Sequence, residues 1–146
     1  MYQRILVPVD GSPTSERALQ EALRLAQQQS GRLELVHVLG DVRLLEANSY
    51  INYAEMKDAM TSAGKKLLEQ TQMVAQQSGT AAEVKLLEAG GTRIASAIVE
   101  EARQWQADLI VIGTHGRTGF SRVLFGSVAE GVVRTAPIPV LLIRGS

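Results

Sequence analysis

Along this chain, short runs fit for strands alternate with longer stretches whose apolar residues recur at helical spacing. Ile5 to Val9, Leu33 to Leu39, Ala82 to Ala89, Leu109 to Ile112 and Pro139 to Ile143 read as strands. Between them lie four apolar stripes: Ala18, Leu19, Ala22, Leu23 and Ala26; Met56, Met60, Ala63, Leu67 and Val74; Ile94, Ala95, Ile98, Val99 and Ala102; and Val128, Val132 and Val133. Each stripe has the three-to-four-residue period of a helix with one buried face. Five strands separated by four helices is the pattern of βαβ units, and so of an α/β fold with an open parallel sheet. A length of 146 residues suits one domain spanning 1–146, and no repeat or low-complexity linker divides it. Hydrophobic residues make up 45% and aromatics only 4%, so the core must be built from Val, Leu, Ile and Ala, as in a parallel sheet covered by helices.

Local signals mark the element ends. Ser12 before Pro13 is a helix start: a side-chain cap, then a residue whose missing N–H costs nothing at the first helical position. Ser30-Gly31 and Ser78-Gly79 stop the first and second helices, and Thr92 is the expected cap of the third. Gly64, inside the second helix, should cost about 1 kcal/mol relative to alanine. The methionines of that helix, Met56, Met60 and Met73, read as core gap fillers. Residues 41–55 carry no period or charge run and are expected to form a mobile loop. Glu16, Arg17, Glu21 and Arg24 are spaced as surface ion pairs.

Composition excludes several function classes. Fifteen basic residues balance fifteen acidic ones, so no long-range field draws the chain to nucleic acid or an anionic membrane. With no cysteine, disulfides, thiol catalysis and thiolate metal sites are ruled out. The two histidines, His37 and His115, have no carboxylate at metal-ligand spacing, and His37 reads as structural. No apolar run approaches the roughly 18 residues of a membrane span. The first residues run directly into a strand and leave no room for a signal segment. The expectation is a cytoplasmic protein without membrane insertion.

Chemistry concentrates in Ile112 to Ser127. The apolar run Leu109 to Ile112 breaks at Gly113 into a segment holding Gly116, Gly119, Gly126, Arg117 and Arg122 before helical spacing resumes. Glycines let the backbone approach a ligand and turn successive N–H groups toward it. The start of the next helix adds unpaired donors and the positive end of its dipole. The expectation is a phosphate-bearing ligand; the plainer reading is that these glycines only form the turn. The segment is not a P-loop, since no Gly-Lys-Ser/Thr occurs, and it is not the GxGxxG fingerprint after a first strand. Its spacing is Gly-x2-Gly-x9-Gly-Ser, met by Gly113, Gly116, Gly126 and Ser127.

That spacing, together with Ile5 to Ser12 and Pro139 to Ile143, resembles the ATP-binding members of the universal stress protein family over essentially the whole chain. The resemblance implies a five-stranded sheet of order 3-2-1-4-5, helices on both faces, of the adenine-nucleotide α-hydrolase-like Rossmann type. It implies a site at the carboxyl ends of strands 1 and 4, where Asp10 and Gly113 would face one crevice. Pro8, Val9, Asp10 and Val38 would contact the nucleotide, with Pro8 and Val38 lining the adenine, Val38 partly through its backbone. Backbone amides around Gly113, Gly116, Gly126 and Ser127 would hold ribose and phosphates, with Gly119 and Val128 counted in the same site. His115 could contact phosphate or simply pack or face water, and Arg117 and Arg122 could neutralise phosphate or equally be solvated. On local grounds Asp10 could equally bond the amides of Gly11 and Ser12, and Ser127 could cap the last helix. The implied ligand is ATP, ADP or AMP, with Mg²⁺ entering on the phosphates. The resemblance further implies a homodimer through the last strand, or a higher oligomer.

The expected role is a nucleotide-binding stress or regulatory module. The alternative is a slow ATPase or nucleotidyl-transfer enzyme in the same pocket, for which only Asp10, His115 and the loop arginines are candidates. A response-regulator receiver would need clustered acids after the first strand and an aspartate after the third, where this chain has Glu88-Ala89. A pure interaction domain with a vestigial loop is the remaining reading.

Overall fold

A computed structural model describes residues 1–40, 52–114 and 126–145. Its elements are β1 (Arg4–Pro8), α1 (Pro13–Gln29), β2 (Arg32–Leu39), α2 (Tyr53–Gln77), β3 (Ala82–Glu88), α3 (Ile94–Trp105), β4 (Leu109–Gly113), α4 (Ser127–Thr135) and β5 (Val140–Ile143). The strands form one parallel sheet of order β3-β2-β1-β4-β5, the order expected.

Strand alternation divides the core into two layers. Ile5 and Val7 of β1, Val9 just after it, and Leu33 and Leu35 of β2 meet Ala18, Leu19, Ala22 and Leu23 of α1 and Leu68 and Ala75 of α2. Leu6 and Val36 point the other way, joining Ile110 and Ile112 of β4, Ile98 and Val99 of α3 and Val132 of α4. β1 is therefore covered on both sides, and Ile5, Leu6 and Val7 are fully buried.

Capping explains most element ends and corrects several expectations. Ser12 caps α1, its hydroxyl accepting from Ser15 N at 3.2 Å. Ser30 closes α1 in the left-handed region, where its N–H reaches Ala26 O. α2 begins earlier than expected: Asn52 caps it by accepting from Glu55 N at 3.1 Å, so Tyr53 to Glu55 are helical rather than loop. The rest of that expected loop, residues 41–51, lies outside the described residues. Thr92 is not the cap of α3. Its hydroxyl donates to Ala89 O at 2.7 Å, and Arg93 holds the cap position without a side-chain bond. Ser127 does not cap α4 either; it is the first helical residue, and Gly126 stands at the cap.

The stripe of α2 is also displaced. Gly64, Leu68, Thr71 and Ala75 are its buried residues, Met56 and Met60 are half-buried, and Met73 is 57% exposed, so Met73 fills no gap. Gly64 has a packing reason: a Cβ there would lie 2.9 Å from both His37 Cδ2 of β2 and Leu86 Cδ1 of β3. Of the expected ion pairs on α1, Arg24 meets Glu21 at 3.4 Å.

Candidate functional site

From β1 the chain proceeds to β2 and β3 on one side of the sheet, then returns to lay β4 and β5 on the other. β1 and β4 pair directly, Ile5 with Leu109 and Leu6 with Ile110. Their carboxyl ends flank the point where strand order reverses, which is where open α/β sheets leave a crevice. Asp10 follows β1 and Gly113 ends β4, so both stand at that crevice.

On the β1 side, a tight turn joins strand to helix. Asp10 Oδ1 accepts from Ser12 N at 2.9 Å, and Asp10 N donates to Ser15 Oγ at 3.1 Å. Gly11 between them has φ +83, a value L side chains rarely adopt. The local role expected for Asp10 is thus present toward Ser12. The turn presses the first residues of α1 against the end of β4. A Cβ on Gly113 would fall 2.9 Å from the backbone carbon and hydroxyl of Thr14, and one on Gly145 would fall 3.0 Å from its methyl. Thr14 is buried at this junction, yet nothing in its sequence context distinguishes it. Only the spatial meeting of α1 with two distant glycines does so.

On the β4 side, Thr114 is buried and held at both backbone ends. Its N–H donates to Ile143 O at 2.9 Å, and its carbonyl accepts from Gly126 N–H. The last described residue before the glycine segment and the first after it are therefore joined. α4 starts there with no side-chain cap, so its opening amides are not met by its own cap residue. Gly126 has φ −63, an ordinary extended value, and the need for glycine there is not one of backbone strain.

Two further expected residues come together in the α3–α4 layer. Val38 and Val128 both pack against the cluster containing Ile112, Ala129 and Val132. Pro8 lies on that face by alternation with Leu6, whereas Val9 is buried in the opposite layer. His115, Gly116, Arg117, Gly119 and Arg122 lie outside the described residues. A cleft of about 120 Å³ opens on the α1–α2 side, lined in part by Val9, Gly11, Ser12, Ser15, Leu67 and Thr71. Three of its polar side chains are engaged by the protein: Ser12 Oγ accepts from Ser15 N, Ser15 Oγ accepts from Asp10 N, and Thr71 donates to Leu67 O.

His37 of β2 meets the chain just after β1, its Nδ1 2.7 Å from Val9 O. Away from the crevice, Glu34 of β2 is buried at 3% exposure beside Glu101 of α3, whose carboxylate meets Lys85 Nζ at 3.0 Å. Burial pushes the Glu34 carboxyl up to about 8, assisted by a hydrogen bond to Glu101 and the charge of that group, while Lys85 acts in the opposite sense. Glu34 Oε1 has no hydrogen-bond partner among the described residues. Among those residues, no cluster of three or more His, Cys, Asp or Glu could hold a metal, and no helix is long and apolar enough to cross a membrane.

Comparison with known proteins agrees with this architecture. The chain is 31% identical over 144 residues to a universal stress protein of Methanocaldococcus jannaschii, an alignment covering 99% of this chain and 83% of the relative. A universal stress protein of Archaeoglobus fulgidus solved in complex with dAMP superposes with a TM-score of 0.70 at 28% identity, covering 97% and 98% of the two chains. Another, solved in complex with cAMP, gives 0.73 at 26% identity, covering 99% of each. The model of the universal stress protein family matches residues 1–144. Sheet order, crevice and these matches agree, and the chain belongs to the universal stress protein family.

Proposed function

We propose that the protein binds ATP or a related adenine nucleotide in the crevice at the carboxyl ends of β1 and β4, as a regulatory stress-response module in the cytoplasm. The observation that carries this reading is the junction of β4 with α4. There Thr114 ties the two ends of the glycine segment together, beside helix amides that no side chain caps among the described residues. Backbone donors fixed in that way suit a phosphate chain. The complexes of family members with dAMP and cAMP support an adenine nucleotide as the ligand class.

In this reading Pro8 and Val38 border the base, and Val9 and Asp10 contact the nucleotide beside them. Gly113, Gly126, Ser127 and Val128 meet ribose and phosphates, joined by His115, Gly116, Arg117 and Gly119 of the glycine segment. Any Mg²⁺ would arrive bound mainly to phosphate oxygens and water, since the described residues offer it no cluster of ligands. Turnover is not part of the proposal. Asp10 is the one carboxylate the described crevice offers, and its Oδ1 is engaged by the Ser12 amide. Assembly is part of it: β5 pairs with its counterpart in a second copy to form a dimer.

Mass spectrometry of small molecules released by denaturing the purified protein is expected to show ATP, ADP or AMP. Calorimetric titration of emptied protein is expected to show saturable ATP binding. A protein that carries no nucleotide and does not bind ATP at millimolar concentration would contradict the reading.

A further inference from the structure

We propose that His37 is a positioning residue of the nucleotide site: its imidazole, seated against Gly64 of α2, takes the Val9 carbonyl and ends the β1–β2 ladder where the Val38 main chain can meet the base. The inference deepens the nucleotide reading and rests on it.

The hydrogen-bond parity of β2 leads to this role. Odd-numbered residues of β2 bond β3, as in Leu33 N to Ala81 O at 2.9 Å and Ala89 N to Leu39 O at 3.0 Å. Even-numbered residues bond β1, as in Arg32 N to Gln3 O at 2.9 Å and Val9 N to Val36 O at 2.8 Å. In a parallel ladder the next bond would run from Val38 N–H to Val9 O. The pairing of β1 with β2 stops at Pro8 with Val36, one step short of that bond. The Val9 carbonyl is met at 2.7 Å by Nδ1 of His37. A carbonyl only accepts, so Nδ1 carries the proton and the ring is the donor.

The ring has little freedom to leave. A Cβ on Gly64 would stand 2.9 Å from its Cδ2 and 3.6 Å from its Nε2, so a residue without a side chain is needed where α2 crosses it. A histidine inside a strand and a glycine inside a helix, unrelated in sequence, thereby serve one arrangement. By the same parity the N–H and C=O of Val38 both face the β1 side, beyond the last β1 pair. Neighbouring donor and acceptor groups match the edge of adenine, which offers a ring nitrogen acceptor beside an amino donor. They mismatch guanine, whose corresponding pair is reversed.

The test compares wild type, His37→Phe and His37→Asn by calorimetric titration with ATP and, separately, inorganic tripolyphosphate. Phenylalanine keeps the bulk and removes the donor, and is expected to weaken ATP about tenfold, the loss of one or two hydrogen bonds to the base. Tripolyphosphate binding should be unchanged. Asparagine, whose Nδ2 occupies the position of Nδ1, should recover most of the ATP affinity. In nucleotide-free protein, hydrogen exchange at the Val38 amide should slow in His37→Phe as the ladder extends. Gly64→Ala moves the ring without removing it; it should repeat the ATP loss, and it carries the test if the phenylalanine variant does not fold. ATP affinity unaffected by His37→Phe, or ATP and tripolyphosphate weakened equally, overturns this role while leaving the nucleotide reading intact. Wild type that binds no nucleotide overturns both.

Discussion

A Cβ on Gly64 would intrude on His37 and Leu86, and this reverses the usual sign of a glycine-to-alanine change in a helix. Helix propensity alone would favour alanine by about 1 kcal/mol. Overpacking against a ring and a leucine tip typically costs about 1–3 kcal/mol, so Gly64→Ala is expected to destabilise on balance by roughly 1 kcal/mol. Urea denaturation would show the sign directly. Glu34 gives a second residue-scale prediction. Its carboxyl is held near 8 in the folded protein against an ordinary 4.5, so the folded state holds more protons across that interval. Stability therefore falls as pH rises from about 4.5 to about 8 and levels off above. Glu34→Gln mimics the protonated form. It should flatten that dependence and raise stability at pH 8.5 by on the order of 1–3 kcal/mol, with little gain at pH 4.5, as read from denaturation curves at both pH values. Neither feature was legible in the sequence. Gly64 reads there as a weak point of a helix, and no pattern singles out Glu34. Each gains its meaning from a neighbour on another element, set by how α2 and α3 lie on the sheet.

At the element scale, the start of α1 and the end of β4 behave as one unit. Gly113→Ala would drive a methyl into the Thr14 backbone, which cannot swing aside as a side-chain tip can. The variant is expected to lose about 1–3 kcal/mol by thermal unfolding and to bind ATP more weakly, because the same shift displaces the base of the glycine segment. Thermal melts with and without ATP read both effects. Element ends were readable where a side chain makes the cap, as at Ser12. They were misread where a hydroxyl at the right place had another partner, as at Thr92. The α2 start was missed because Asn52 sits at the end of a stretch without periodicity, and a cap without a clear stripe behind it is a weak signal. The stripe itself was read partly off its true face, since Thr71 and Gly64 are buried and Ala63 is exposed.

At the scale of the molecule, strand alternation and apolar patterning were enough for the architecture, because a parallel sheet with short connections admits few arrangements. Strand order came from resemblance and agrees with the observed pairing. The two edges of the sheet differ. β3 carries exposed Glu83, Lys85 and Glu88, charges that discourage pairing with another chain. β5 carries Val140, Leu141, Leu142 and Ile143, with Leu141 37% exposed. Leu141→Lys, rather than a change at the core-packed Leu142, is expected to shift sedimentation from dimer to monomer while leaving the melting profile cooperative. A wild-type protein that sediments as a monomer at all concentrations would remove the dimer. The bond from Gly126 N–H to Thr114 O carries a different consequence. Since the scaffold already holds the two mouths of residues 115–125 together, lengthening that stretch adds only a logarithmic entropy penalty, about 0.6 kcal/mol per doubling. Changes in the length of this stretch are therefore expected to cost the architecture beneath it little, as thermal melts of insertion variants would show.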